Sequence, residues 1–378
     1  MTKVNYTVMI GRFAILHNGH THIFTEALKC SEHLIVLVGS ANSPRKLRNP
    51  FTFLERQQLI QRWAEQAGVS DRISILPLND HTYKMGRWTK EVQDKVSAIV
   101  TSHGWRDKTS VKLIGHSKDN SSFYLSLFPQ WNVNGEHINV SGFKNISGGL
   151  LNATDLRDSY FKTGLFGSKD EGRGDFIPGI LHPNCPEATI EFLEYFKFGT
   201  FEDAPRVVLT GVDEMAYDYI REEARYIDSW KYGHSYVRDF PYDVTFNTVD
   251  AIIVQSGHVL CTRRTTMPGL GLTTLPGSFI NQNEHFDDGV FRSIKEKTGI
   301  KLPDPVIKRY VDGAKTETFS DTHRSDRGRI VTHGYFIELD NQIKLPKVRK
   351  GSFWLPYNEL DAERCFEDHW HIVDYFVG

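Results

Sequence analysis

The stretch "GRFAILHNGH", residues 11–20, decides how the first half of this chain is read. It follows "YTVMIG", an apolar strand-like run, and leads into a segment with helical spacing from about Thr21 to Cys30. His17 and His20 stand three apart with Gly19 between them, so both imidazoles can converge on one anionic group. A helix beginning beside them adds unpaired N–H groups and the positive end of its dipole. Alone, the motif would be better read as a polar turn with two incidental histidines. Its neighbours decide the matter.

Downstream, "HLIVLVG" reads as a second strand, and "FTFLERQQLIQRWAEQAG" has helical spacing and ends on Gly68. "RISILPL", a helix from about Trp88, and "SVKLIGH" continue the alternation. Strands alternating with helices predict a parallel, doubly wound, Rossmann-like sheet that takes ligands at the strands' C-terminal ends. From Phe161 to about Ile180 the text is Gly-rich and charged and reads as a long loop. "EATIEFLEYF" and "DEMAYDYIREEARYIDSW" are helical and close a first domain, expected over residues 1–233. A polar, aromatic connector at 234–245 leads to a second alternating region, 246–378, whose opening hairpin turns at Ser256–Gly257.

The bulk numbers agree with two domains, since 378 residues is long for a single core. A net charge of -2 argues against a general nucleic-acid binder but leaves room for a local phosphate pocket. No apolar run approaches membrane-spanning length, and the N-terminal text lacks a signal-peptide layout, so a cytoplasmic location is expected. The four cysteines are scattered without CxxC pairing, and free buried thiols are the expectation. The oligomeric state, a homo-oligomer included, is left open.

The HxGH motif after the first strand, preceded by Gly11, Arg12 and Phe13, resembles the nucleotidyltransferase superfamily. "GSANSPRKLRNPFTFLERQQLI", "GHSKDNSSFYLSLFPQW" and "NATDLRDSYF" resemble, in order, the nicotinamide mononucleotide (NMN) adenylyltransferase half of bifunctional adenylyltransferase–Nudix proteins. The resemblance implies formation of NAD⁺ and pyrophosphate from NMN and ATP, with Mg²⁺ arriving on ATP. It places His17 and His20 on the ATP phosphates and the transition state, and Thr154 and Arg157 on the leaving phosphates. Arginine suits that duty because its planar fork binds phosphate bidentately. Arg45 and Arg48 are candidates for substrate phosphates, with a basic surface loop as the alternative. Trp88 is read either as a platform for the nicotinamide ring or as a core tryptophan. Gly115, Asp119 and Asn120 fall where a strand meets the ligand crevice, and the two polar residues suit base or ribose contacts or loop capping.

The second region resembles a Nudix domain, an α/β/α sandwich. "PGLGLTTLPGSFINQNEHFDDGVFRSIKEKTGI" carries the box, with Glu284 and Arg292 at its first Glu and its Arg. "HRSDRGRIVTHGYFIEL", containing Arg327 and Arg329, is similar to members that handle ADP-ribose. In active members the positions of 293, 296 and 297 carry the carboxylates that hold Mg²⁺; here they are Ser293, Glu296 and Lys297. One carboxylate beside an ammonium is a poor anchor for Mg²⁺, so Glu296 is a weak metal ligand and hydrolysis is expected to be weakened or lost. Ser278 also replaces the first glycine of the box. Three alternatives stand: hydrolysis through substitute acids such as Glu284, Asp287 or Asp288; a pocket that binds NAD or ADP-ribose without cutting it, with Lys297 neutralising the pyrophosphate; or a relic domain kept for folding or dimerisation.

Overall fold

The computed structural model describes residues 4–104, 110–116, 124–131, 137–145, 148–162, 179–198, 215–232, 244–342 and 344–378. Asp119 and Asn120, most of the expected 161–180 loop, and nearly all of the expected 234–245 connector lie outside the described residues. The chain divides into two compact units, Met1–Asp80 with Met85–Ala224, and His81–Lys84 with Arg225–Gly378.

The first unit is built on five parallel strands, β1 (Val4–Gly11), β2 (Ser31–Val38), β3 (Ile73–Pro77), β4 (Val111–Gly115) and β5 (Ile138–Asn139). Their spatial order is β3-β2-β1-β4-β5. Period-two alternation sorts the side chains: Met9, Leu34, Val36 and Val38 enter one core, and Val8, Ile10, Ile35 and Leu37 the other. Both faces are covered, which is why the strands read as nearly continuous apolar runs. The first core takes residues from α1 (Asn18–Cys30), α2 (Phe53–Gln66), α4 (Ala153–Lys162), α5 (Glu187–Phe198) and the start of α6 (Ala216–Tyr232). The second takes Val92, Val96 and Val100, spaced four apart on α3 (Met85–Ser102). Strand β1 lies between β2 and β4, so the order reverses there and opens a crevice at the strands' C-terminal ends.

The second unit is a mixed sheet of β6 (Thr245–Gln255), β7 (His258–Arg263), β10 (Lys315–Phe319), β11 (Arg329–Glu338) and β12 (Ser352–Pro356). Its order is β10-β11-β6-β7-β12, with short strands β8 (Thr273–Thr274) and β9 (Gly277–Phe279) pairing with β7 and β6. The β6–β7 hairpin turns at Ser256 and Gly257, both at positive φ, which matches the twist of the strands it joins. Helices α7 (Phe286–Thr298) and α8 (Asp304–Asp312) pack on one face, and α9 (His369–Val377) packs on the other. This is the expected sandwich. Helix α7 stops at Gly299, whose φ of 55° closes the helix in the left-handed region. Cys185, Cys261 and Cys365 are buried free thiols, and Cys30 is a half-buried one. Among the described residues no helix is long and apolar enough to cross a membrane.

Candidate functional site

In the first unit a cavity of about 270 Å³ lies at the C-terminal ends of β1 and β4. Gly11, His17, Gly19, His20 and Gly115 line it, together with Asn152 and Ala153 where α4 begins. His17 is the N-cap of α1: its Nδ1 accepts the Gly19 N–H at 3.1 Å, and Nδ1 of His20 accepts the His17 N–H at 3.4 Å. With Nδ1 used as an acceptor, the proton of a neutral imidazole sits on Nε2. The two rings stack with centroids 3.7 Å apart. Burial pushes the His20 imidazole down to about 4, against the opposing pull of the Ile15 carbonyl, so this ring is neutral at pH 7. Gly19 is required here because a Cβ would come within 2.9 Å of the His17 ring. Phe13, at φ 51°, is buried and meets the His20 ring edge-on at 5.0 Å.

The loops around this cavity are held by a residue not singled out in the sequence. Arg56 on α2, only 1% exposed, donates to the carbonyls of Arg12 and Gly39 at 2.7 Å, Ser40 at 3.1 Å and Thr52 at 3.2 Å. One guanidinium thereby ties the ends of β1 and β2 together, and its place in "FLERQQ" on a helix facing the sheet was the available signal. Arg12 itself is exposed and does not line the cavity. Arg45 is turned elsewhere: its guanidinium pairs with Glu55 at 2.6 and 2.7 Å and donates to the Pro50 carbonyl at 2.9 Å. Glu55 also completes the capping box of α2 with Thr52, so the pair is integral to that helix start. Arg48 is half-buried and lies off the cavity lining. Trp88, in the first turn of α3, is partly buried and packs against the second core near Tyr124 and Phe128.

At the other wall, Asn152 Oδ1 accepts the Thr154 N–H at 3.0 Å, capping α4. Thr154 is exposed. Arg157, one turn on, is 9% exposed; its Nη2 reaches Asp158 at 3.3 Å, and its buried Nε has no hydrogen-bond partner. A buried, unpaired guanidinium N–H is costly unless an anion arrives. Neither Thr154 nor Arg157 lines the cavity in this structure. His116, Tyr124, Phe143 and Asn152 do. The first two flank the "SKDNSSF" segment and the last precedes "ATDLR"; position beside a motif was their only sequence signal.

The second unit has its own cavity, of about 580 Å³. Arg292, Lys297 and Arg327 line it, whereas Glu284, Glu296 and Arg329 do not. Arg292 holds Glu284 through bonds of 2.6 and 2.7 Å and also donates to the Phe279 carbonyl at 3.0 Å. Hydrogen bonds from Arg292 draw the Glu284 carboxyl down to about 2. Arg327 contacts Glu367 at 3.2 Å and lies over the rings of Phe279 and Phe366. Arg329 instead donates to the Ser320 carbonyl at 2.7 Å. Of the substitute acids, Glu284 is consumed by Arg292, Asp287 accepts the Tyr335 hydroxyl at 2.6 Å, and neither it nor Asp288 lines the cavity. The acids that do line it are Asp250, which accepts the Thr332 hydroxyl at 2.7 Å, and Glu367. Residues not expected from the sequence include Arg263, Arg264, Arg324, Arg349 and Lys350. Arg324 is buried and bonds Asp368 at 2.8 and 2.9 Å.

The residues of the altered box do not fit a divalent cation. Ser293 is fully buried with an unpartnered hydroxyl, Glu296 is exposed and leans on Arg292 at 3.5 Å, and Lys297 faces the cavity. Among the described residues no cluster of three or more His, Cys, Asp or Glu side chains is arranged to hold a metal ion. Mg²⁺ needs hard anionic oxygens, and this face offers one carboxylate turned away and an ammonium turned in.

Comparison with known proteins places both units. A cytidylyltransferase-like family model matches residues 8–119, and a NUDIX domain model matches residues 244–376. A nicotinamide/nicotinic acid mononucleotide adenylyltransferase of Acinetobacter baylyi is 34% identical over 197 residues, covering 52% of this chain and 89% of that protein. A nicotinamide-nucleotide adenylyltransferase of Thermococcus onnurineus is 33% identical over 89 residues, and there the match spans only 47% of the relative and 24% of this chain. A crystal structure of a bifunctional NMN adenylyltransferase/ADP ribose pyrophosphatase from Francisella tularensis superimposes with a TM-score of 0.79 at 26% identity, covering 99% of this chain and 98% of that one. The same Francisella enzyme complexed with AMP and a manganese ion gives 0.77, again at 26% identity and with the same coverage. The histidine-lined crevice, the parallel sheet that forms it and the NUDIX sandwich that follows thus make this chain a member of the bifunctional NMN adenylyltransferase/Nudix family, a nucleotidyltransferase by its first unit.

Proposed function

We propose that the chain forms NAD⁺ from NMN and ATP in the crevice of its first unit, and that its NUDIX unit has weak or no ADP-ribose pyrophosphatase activity. The observation that carries the first part is the paired imidazoles at the start of α1, both tied by backbone N–H groups at Nδ1. In adenylyl transfer a phosphate oxygen of NMN bonds to the α-phosphorus of ATP. The bond from that phosphorus to its bridging oxygen breaks, and pyrophosphate leaves. The protein's part is positioning and charge stabilisation. The stacked imidazoles, beside the N-terminus of α1, suit the growing charge on the α-phosphate. Arg157, with its orphan Nε, and Thr154, on the first turn of α4, are assigned to the leaving phosphates. Mg²⁺ enters as part of the ATP substrate. Gly11, Gly19 and Gly115 line the crevice, Phe13 packs on His20, and Arg48 is kept as a candidate for a substrate phosphate. The structure offers no comparable support for Arg12, Arg45 or Trp88 as direct contacts.

The second part rests on the poor fit of the box to a metal. A cytoplasmic enzyme serving NAD synthesis is the setting this reading implies, and the nucleotidyltransferase domain is taken as residues 1–233. The test incubates the full chain with ATP, Mg²⁺ and either NMN or nicotinate mononucleotide, measuring dinucleotide and pyrophosphate together. Equal molar yields of the two products are expected, with NMN accepted. His20→Ala should slow turnover at least about a hundredfold, the scale of a lost transition-state donor, while ATP affinity changes far less. Unaltered turnover in that variant would remove the motif from the chemistry.

A further inference from the structure

The cavity of the second unit carries a charge imbalance that its own side chains do not neutralise. Its two lining acids are engaged, Glu367 with Arg327 and Asp250 with Thr332. Lys297, Arg349 and Lys350 have no acidic partner among the described residues, and Arg263 bonds only the Gly271 carbonyl and the Thr273 hydroxyl. Backbone bonds bring these four cations together from three separate parts of the chain. The Arg349 N–H donates to the Thr298 carbonyl at 2.9 Å, Ser352 Oγ donates to the Lys297 carbonyl at 2.9 Å, and the Arg263 N–H donates to the Gly351 carbonyl at 3.0 Å. These four side chains are exposed, but like charges lining one cavity still repel, and a bound anion of matching charge relieves that repulsion. A divalent cation would add to it.

A second observation is independent of charge. The hydroxyls of Ser278 and Ser293 are both buried and lack any hydrogen-bond partner. Ser278 lines the cavity, and Ser293 stands where the box would otherwise place a carboxylate. The Ser278 donor, left unsatisfied on the cavity wall, calls for an acceptor there. Phosphate oxygens supply acceptors and negative charge together. Along the same cavity Trp230 and Phe279 stack at 5.7 Å and form an aromatic wall fit for a nucleoside.

We infer that this pocket is a metal-independent receptor for the diphosphate of a nucleoside-diphosphate anion, in which Lys297 stands in for the divalent cation. The inference rests on the reading that this unit has lost its metal-dependent chemistry, and it adds the reverse sign of metal dependence. Free Mg²⁺ competes with the pocket for the diphosphate instead of bridging it to the protein. The probe is ADP-ribose, titrated calorimetrically into the full chain in EDTA and again in excess MgCl₂, with NMN and ATP absent. Binding in EDTA should be as tight as in Mg²⁺ or tighter. In EDTA, Lys297→Glu should weaken it at least tenfold, and Lys297→Met and Arg349→Ala severalfold each. Unchanged circular dichroism and melting in these exposed-site variants exclude misfolding as the cause. Binding that appears only with Mg²⁺, or a Lys297→Glu variant that binds in EDTA as the parent does, would overturn the inference. AMP release is followed separately: cleavage of ADP-ribose by the parent in Mg²⁺ would refute lost hydrolysis, while metal-free binding sensitive to Lys297 would still uphold the receptor.

Discussion

Replacing Arg56 tests whether the crevice depends on a single buried clamp. Arg56→Met keeps much of the aliphatic volume and removes every donor, so the carbonyls of Arg12, Gly39 and Ser40 lose the bonds of 2.7, 2.7 and 3.1 Å. Each buried acceptor left unmade costs roughly 1–2 kcal/mol, and part of the total is returned because no guanidinium need be desolvated. The net expectation is a loss of about 3 kcal/mol, a large share of the roughly 5–15 kcal/mol that holds a typical domain. In a unit of this size that corresponds to a fall in Tm on the order of 10 °C. Arg56→Lys should lie between parent and Met, because one ammonium cannot span carbonyls on two strand ends. The assay is calorimetric melting alongside NAD⁺ formation at a temperature where the variant remains folded. NAD⁺ formation should fall even there, because the Gly11–Phe13 turn carries the Arg12 carbonyl and its Phe13 ring meets His20. A Met variant melting within about 1 °C of the parent, with full turnover, would refute the clamp.

Other outcomes follow from the same geometry. Arg157→Lys keeps the charge but loses the planar fork, so steady-state turnover should drop at least about tenfold, and equal turnover would make this position a mere charge. His20 and His33 are both pushed down to about 4, chiefly by burial, from an ordinary 6.5. Between those values the folded rings are neutral while the unfolded ones bind protons. Stability is therefore full above about 6.5 and erodes as pH falls toward 4. Melting measured across that window should show the slope, and His33→Asn, which retains a partner for Ser74, should flatten it. The double change Ser293→Glu with Lys297→Glu should raise Mg²⁺-dependent ADP-ribose cleavage, measured as AMP release, above the parent's level. Each single change should do less, and Ser293→Glu alone should also destabilise, because its site is fully buried. No gain from a folded double variant would point to Ser278 or the walls of the cavity.

Local pattern was legible in the sequence by itself. Alternation along "YTVMIG" and "HLIVLVG" follows from the two-residue period of a strand, and valines four apart on α3 follow from the helical repeat. The turn at Ser256–Gly257 depends on residues adjacent in the chain, so its text was sufficient, while the first helix was read from about Thr21 and begins at Asn18, because His17 caps it. Even the replacement of carboxylates by Ser293 and Lys297 on one helix face could be read, since residues three and four apart on a helix are neighbours. Long, flexible side chains are another matter, because their partners come from distant segments. The sequence did not show that Arg45 meets Glu55, or that Trp88 lies near Tyr124 and Phe128; those neighbours appear only in the fold. The place of Arg56 on a helix facing the sheet was its only sign, for its acceptors are carbonyls that exist at every residue and become a site only where β1 and β2 end side by side. The cationic pocket was equally hidden. Arg263, Lys297 and Arg349 are far apart in sequence, and only the backbone bonds among β7, the end of α7 and the loop before β12 gather their charges into one recess.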